Sequence, residues 1–569
     1  MKEYRIVETD VLVIGGGGAG LRAAIGAAQE GLDVTVVEKV FPSRSGLTIM
    51  VMGGMDWPDA ADPRDLQAHF NDVMRLGCNI NDENLVEAMG KEAKARGLEL
   101  EKWGADVLKD KDGKYVIIST KITDHSTARV RYIPGPQMMW PLMAEYSKYN
   151  NITSISNTII TRLLVDNGQI HGAVGLDLAT GDIIVFQSKA TILATGGAGE
   201  LWKFTTNMPL GGKGGSAGNG FAIAYRAGAL LVDMEMIQFS PLMFYPPYCE
   251  IFGNPMQVMD WFKAKLLNIR GEEVLTLPIP RDIYQRKIVN AIKAGGGTPR
   301  GGLIIDFTTS PMSREEMEAA FANYLGAEKW TIIKGMMGDN NVKELKIEIG
   351  SAAAHHIMGG IRINEKTETN LTGLFAAGEV SASVHGANRA PGQATADIMV
   401  FGARAGKYAS AFAKTQGFSR MDYRDVILGE QSRFKTFLTP KSEAVTPVYV
   451  KRKIKNIMSE YVSAVRNSRD LNRALQELAD IRAKDLTRIQ VPDIRRHNTA
   501  LVDAIEVTDM VDVAEIIARS ALSRHESRGA HFMEDYPERD DVNWLKHTAV
   551  KFENGEMKIG TAPVARRSI

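Results

Sequence analysis

Residues 11–20 read VLVIGGGGAG, and residues 34–39 read VTVVEK. The first stretch is an apolar run that ends in glycines. AGLRAAIGAAQEG (19–31) follows with helical spacing and stops at Gly31. The second stretch is a further strand, so the spacing predicts a β-α-β unit. Gly15, Gly17 and Gly20 satisfy G-x-G-x-x-G between that strand and that helix. The first glycine makes the tight turn, the second admits a pyrophosphate to the backbone, and the third lets helix and strand pack closely. The helix N-terminus then turns its positive end to the phosphates. Glu38 closes the second strand, where an acid can bind ribose hydroxyls.

More than 300 residues later the same character returns in GLFAAGEV (373–380), after HHIMGG (355–360) and before HGANR (385–389). A strand-and-glycine turn also stands at ATGG (194–197). These distant pieces imply a nucleotide domain interrupted by an insertion, with the ligand held where the parts meet. KVFPSRSGLTIMVMGGM (39–55) continues directly from the acid as a small, polar, glycine-bearing extension. Several backbone approaches along one ligand suit a long flavin dinucleotide better than a nicotinamide one.

The 569 residues exceed what one core holds, so several domains are expected. Hydrophobic residues at 44% and charged ones at 24% are ordinary for a globular protein. Lys+Arg and Asp+Glu both number 68, so no global field favours nucleic acid. No apolar run reaches membrane-spanning length. The opening MKEYRIVETD lacks an export pattern, which points to the cytoplasm. Two cysteines, Cys78 and Cys249, cannot build a four-cysteine iron–sulfur site, and no metal ligands are assigned.

The expected fold class is α/β: a Rossmann-like FAD-binding domain with an inserted α+β capping domain and a C-terminal helical domain. The first FAD-binding segment is placed at 1–235. It includes period-two strands over 158–194 with turns at Asp166-Asn167-Gly168 and Thr180-Gly181-Asp182. The cap, rich in Pro, Met and aromatics, is placed at 236–350, and the second FAD-binding segment at 351–415. A helical domain is expected over 416–530. One stripe there is Ile454, Ile457, Met458, Tyr461, Val462 and Val465; another is Leu471, Leu475, Leu478 and Ile481. The polar, proline-punctuated residues 531–569 are expected as an arm on the surface or on a partner.

The chain resembles the flavoprotein subunit of the succinate dehydrogenase/fumarate reductase family essentially end to end. The resemblance is carried by VFPSRS (40–45), ATGG, RDIYQR (281–286), HHIMGG, GLFAAGEV, HGANR, VFGARAG (400–406) and SRHESRGAHFMEDYPERDDVNWLKHT (523–548). It implies FAD, contacted by Gly15, Gly17, Gly20, Glu38, Ser45, Gly54, Thr195, Gly196, Gly197, Asn219 and Glu379. Asn219 sits in AGNG, where the family usually has TGDG. Relatives that tether FAD place a histidine after VFPxRS. Gly46 stands there in this chain, so a noncovalent FAD is expected.

The resemblance also implies hydride exchange between FAD N5 and a carbon beside a carboxylate, with Arg281 delivering the proton, Arg389 clamping a carboxylate and His355 binding the other end. Arginine suits fork-like carboxylate binding. His356 and His385 are read as scaffold. The family's QFHP is QFSP here, with Ser240 in the histidine's place, and its TEG-x-RGEGG stretch is replaced by FGNPMQVMDWFKAKLLNIRGEE (252–273). That segment, and WGADVLKDKDGKYV (103–116), resemble the alpha subunit of adenylylsulfate reductase. Lys263 and Lys265 are candidates for replacement charge. The expected substrate is a small carboxylate-bearing enoate or its saturated partner. Electrons are expected to pass through an iron–sulfur protein subunit, with other subunits holding any complex at the cytoplasmic face of a membrane. The alternatives are an adenylylsulfate-reductase-like enzyme and a flavin electron relay within a larger complex.

Overall fold

Strand β1 (Tyr4–Ile14) lies centrally in a seven-stranded sheet, beside β2 (Val34–Val37) on one side and Ile183–Leu193 on the other, parallel to both. The computed structural model describes residues 4–43, 46–51, 53–118, 129–206, 216–240, 244–245, 255–277, 279, 281–325, 331, 344, 346–350 and 353–567, with backbone only at 118, 244–245, 255–258, 281, 321 and 323–325. Residues 11–14 are covered on both faces of the sheet, which is why they form an unbroken apolar run and do not alternate. The hairpin Thr158–Asp166/Gln169–Asp177 extends the sheet, and its turn takes Asn167 and Gly168 at φ 49° and 77°.

The far segment closes this domain. Strand Leu374–Ala376 pairs in parallel with residues 191–193, on the side of that strand away from β1. The helix Gln393–Ala413 packs on helix α1 (Gly18–Gln29). The two backbones approach closely: a Cβ at Gly406 would strike the Ala23 carbonyl, and one at Gly402 would lie 2.8 Å from the Ala19 carbonyl oxygen. Small residues four apart on one helix therefore hold the second segment against the first.

Between the segments, five strands form a separate antiparallel sheet in the order 244–245, Lys346–Ile349, Leu303–Asp306, Lys265–Leu267, Glu273–Leu275. Helices Pro255–Phe262, Arg281–Ala291 and Arg314–Leu325 accompany it. Phe262, Leu266, Tyr284, Ile288, Ile305 and Phe307 are among the residues of its own apolar core. The flanking strands Ile237–Ser240 and Ala353–Ile357 pair antiparallel, so the way into the insertion and the way out lie side by side.

Helices Arg424–Leu438, Pro447–Tyr461, Ser468–Asp480 and Thr499–Ser523 follow. The two apolar stripes face inward, with Leu475 only partly buried. The last helix is 25 residues long and buried on most sides, so it forms the axis of this part. The C-terminal segment, expected as an arm on the surface or on a partner, folds back on the chain. Lys546–Glu553 and Glu556–Pro563 form a hairpin whose first strand pairs with Leu231–Val232. Beneath it, Arg524 joins Glu235 and Glu526 at 2.6 and 2.8 Å, Thr548 donates to Glu235, and His547 pairs with Asp233. All six side chains are buried, so each charge needs these partners. Arg524, Glu526 and Arg528 of the conspicuous SRHESRG string thus form a buried polar clasp.

Candidate active site

The glycine turn after β1 forms one wall of a cavity of about 930 Å³, measured with its open mouth. Gly15 has φ 110°, and a Cβ there would run into the Ala194 carbonyl. A Cβ on Gly20 would overlap the Gly15 carbonyl, so the helix seats on the strand only because residue 20 has no side chain. Gly17 is open on the cavity side. The Glu38 carboxylate accepts from Gly16 N–H, and from Lys39 N–H at 2.8 Å. Gly15, Gly17, Glu38, Thr195, Gly196, Asn219 and Glu379 all line the cavity. Gly20 and Gly197 stand behind it: a Cβ on Gly197 would overlap the Glu379 carboxylate. Gly54 lies in the short strand Gly54–Asp56, where a Cβ would strike the Arg131 carbonyl. Ser45 lies outside the described residues.

The cavity suits a dinucleotide. Bare backbone and a helix N-terminus line one side, an acid stands at the end of β2, and the Thr195 hydroxyl is buried with no hydrogen-bond partner among the described residues. Helix Thr499–Ser523 reaches this wall from the helical part. Asp509 accepts from Asn219 Nδ2 at 2.6 Å and pairs with Arg226. Lys39, also on the lining, meets Glu506 at 2.8 Å. Burial opposes its charge, but Glu506 outweighs burial and holds the ammonium above its ordinary range. Sequence reading missed Lys39, Glu506 and Asp509, because their partners lie hundreds of residues away. Gly46 is the other unforeseen contact: a Cβ there would sit 2.8 Å from Gly17 Cα.

A second cluster lies at the junction with the insertion. Arg389 is 7% exposed. Its Nη2 donates to Gln238 Oε1 and to His355 Nε2, each at 2.9 Å, and its Nη1 donates to the Ala390 carbonyl at 3.2 Å. An Nη donor makes His355 Nε2 the acceptor, so Nδ1 carries the proton and donates to Thr206 Oγ1 at 2.7 Å. Gln238 Nε2 in turn donates to Asn388 Oδ1 and the Arg389 carbonyl. Arg389 and His355, 34 positions apart in the chain, are thereby brought into contact.

Glu379 connects the two places. It lines the large cavity and accepts from Ile357 N–H at 3.0 Å, on the strand that carries His355. Burial pushes its carboxyl up to about 7. Burial, with Arg389 nearby, holds His356 well below the usual imidazole range, so it is neutral. His385 contacts Asp397 at 3.3 Å and stacks edge-on with His356. Arg281 is the first residue of the helix Arg281–Ala291, on the insertion, and its side chain lies outside the described residues. Tyr284 of that helix shares a hydrogen bond with Ser240, at 3.0 Å. Lys263 and Lys265 do not supply the site with charge. They pair with Asp260 and Glu273 and are more than half exposed.

The FAD binding domain family matches residues 10–395, and the family described as fumarate reductase flavoprotein C-term matches residues 451–569. The chain belongs to the fumarate reductase/succinate dehydrogenase flavoprotein family. It is an FAD-dependent oxidoreductase. This flavoprotein is 36% identical to a fumarate reductase (CoM/CoB) subunit of Methanothermobacter marburgensis over 94% of this chain and 96% of the relative. Its fold matches a solved E. coli quinol fumarate reductase chain with a TM-score of 0.87, at 26% identity, covering 99% of this chain and 98% of that one. It also shares the fold of adenylylsulfate reductase from Archaeoglobus fulgidus, with a TM-score of 0.79 at 23% identity, over 100% of this chain and 98% of that one. Among the described residues no helix is long and apolar enough to cross a membrane.

Proposed function

We propose that this flavoprotein interconverts a small carboxylate-bearing enoate and its saturated acid, and that an iron–sulfur protein subunit carries its electrons. The observation that carries this reading is the Arg389–His355 contact, held by Gln238 and Thr206 beside a flavin-sized cavity. Gln238, His355 and the Ala390 carbonyl fix the orientation of this guanidinium. Its fork matches a carboxylate, and burial strengthens the attraction. His355 Nε2 faces that fork and sets its orientation.

Bound FAD supplies the two electrons of the reduction. We place its contacts at Gly15, Gly17, Gly20, Glu38, Ser45, Gly54, Thr195, Gly196, Gly197, Asn219 and Glu379, with Gly20, Gly54 and Gly197 acting through backbone packing. The flavin is untethered, because the backbone-to-backbone contact of Gly46 with Gly17 leaves no volume for a side chain after VFPSRS. Arg281 delivers the proton to the substrate carbon. It stands on the insertion while Arg389 stands on the FAD-binding domain, so closure of the cap over 236–350 assembles the site and excludes water. The naming of the Methanothermobacter relative as one subunit of its enzyme, together with only two cysteines here, supports a separate electron-carrying partner.

Photoreduced protein mixed anaerobically with fumarate, other enoates and adenylylsulfate tests the proposal. Reoxidation by an enoate is expected. Reoxidation by adenylylsulfate alone, or by none of them, refutes it.

A further inference from the structure

We infer that helix Thr499–Ser523 backs the nucleoside end of the FAD site, with Asp509 and Glu506 as positioning residues that aim Asn219 and Lys39 at the cofactor. Asn219 is one of the FAD contacts placed above. The roles of Asp509 and Glu506 hold whichever acid is turned over.

The amide of Asn219 fits only one way round. Its Nδ2 lies 2.6 Å from Asp509 Oδ2 and 3.2 Å from the Ile160 carbonyl oxygen. The other carboxylate oxygen of Asp509 accepts from Arg226 Nη1 at 2.6 Å. Both neighbours of the amide are therefore acceptors, and an amide turned about would set its own oxygen against them. The two N–H bonds of Asn219 are spent on this pair, and its Oδ1 makes no hydrogen bond among the described residues. Asn219 lines the large cavity, so the group it keeps for a ligand there is a neutral acceptor.

The neighbours tell which end of the cavity this is. Ile160 stands two residues after Thr158, whose N–H donates to the Glu38 carbonyl at 3.0 Å. Glu38, Lys39, Thr158, Ile160 and Asn219 all line the cavity. They form one arc that starts from the acid closing β2, the place of ribose hydroxyls in a dinucleotide site. At that end FAD carries donors of the matching kind, namely ribose hydroxyls and the adenine amino group.

One helix face holds both lining residues. Glu506 and Asp509 are three positions apart on the long helix and so share a side of it. Glu506 accepts from Lys39 Nζ at 2.8 Å, as Asp509 does from Asn219. The face is fixed in turn: Arg226 bridges Asp509 and Asp512, and Lys451 reaches Glu506 at 3.5 Å. Gly218, at φ 85°, lets the chain come close, since a Cβ there would lie 3.2 Å from Val513. Glu506 and Asp509 are 7% and 1% exposed, and carboxylates so buried need such partners. Neither lines the cavity, so each acts on the cofactor through the residue it holds.

The test is equilibrium dialysis of the full-length protein against FAD, read by flavin fluorescence, with ADP as competitor. No turnover is involved, so the outcome is independent of the enoate reading. Asp509→Asn removes one of the two acceptors that set the Asn219 amide. It should raise the Kd for FAD about tenfold, and the Ki for ADP by the same factor, because ADP carries the nucleoside end alone. Glu506→Gln should weaken both several-fold. In an Asn219→Ala background, which already lacks the acceptor, Asp509→Asn should change the Kd by less than about twofold. A penalty undiminished in that background would show a purely structural role and overturn the inference. So would a penalty on FAD that ADP does not share, or no penalty at all. If Asp509→Asn does not fold, Glu506→Gln decides: FAD and ADP weakened alike supports the assignment, and any other result overturns it.

Discussion

Replacing Arg389 by lysine keeps the positive charge and removes the fork. In the native structure the guanidinium makes contacts to Gln238, His355 and the Ala390 carbonyl, all at 2.9–3.2 Å. An ammonium on a shorter, flexible stem cannot hold that set and also present two parallel donors to a carboxylate. The substrate loses one charge-assisted hydrogen bond, worth about 2–3 kcal/mol, so kcat/KM should fall roughly 30- to 200-fold. The loss should be larger with Arg389→Gln, which also leaves the acid without a counter-charge. The large cavity is not lined by residue 389, so bound FAD, read from its visible spectrum, should be unchanged. The assay is viologen-linked reduction of the best acceptor at saturating and sub-saturating concentrations. A lysine variant within threefold of the native kcat/KM would refute the clamp. Full activity loss accompanied by loss of FAD would show instead that Arg389 supports the fold.

Three further outcomes follow from the cavity. Acid precipitation of the native protein should leave all flavin in the supernatant. Gly46→Ala should lower FAD occupancy, because the added Cβ meets backbone at 2.8 Å and backbone cannot rotate aside; flavin that remains on the pellet would overturn the untethered reading. The Glu379 carboxyl sits at about 7, above its unfolded value of 4.5. A raised carboxyl stabilises the fold while protonated. That stability is complete below about pH 4.5 and is lost as pH rises through about 7, by roughly 3 kcal/mol across the window. Urea unfolding of flavin-free protein should show this slope, and Glu379→Gln should flatten it; an equal slope in both would show that Glu379 does not titrate in this range.

The sequence by itself determined the nucleotide turn, because its constraints are local. Gly15 takes a left-handed φ, Gly20 leaves room for the Gly15 carbonyl five residues away, and the helix that follows is specified by its own apolar spacing. It also marked the insertion, since the return of strand-and-glycine character at 373–380 could belong only to an interrupted domain. The helical stripes were legible for the same reason: period and burial are written in neighbouring residues. What it could not determine were contacts whose partners are remote in the chain. Asp509 holding Asn219, Glu506 holding Lys39, Gly46 resting on Gly17 and Tyr284 meeting Ser240 obey no spacing rule, because each depends on how two separately folded elements are docked. The C-terminal hairpin illustrates the point most plainly. Its polar residues suggest an arm on the surface or on a partner, and only the fold shows Asp233, Glu235 and Arg524 beneath it, where charges are paired inside the protein and no longer with water.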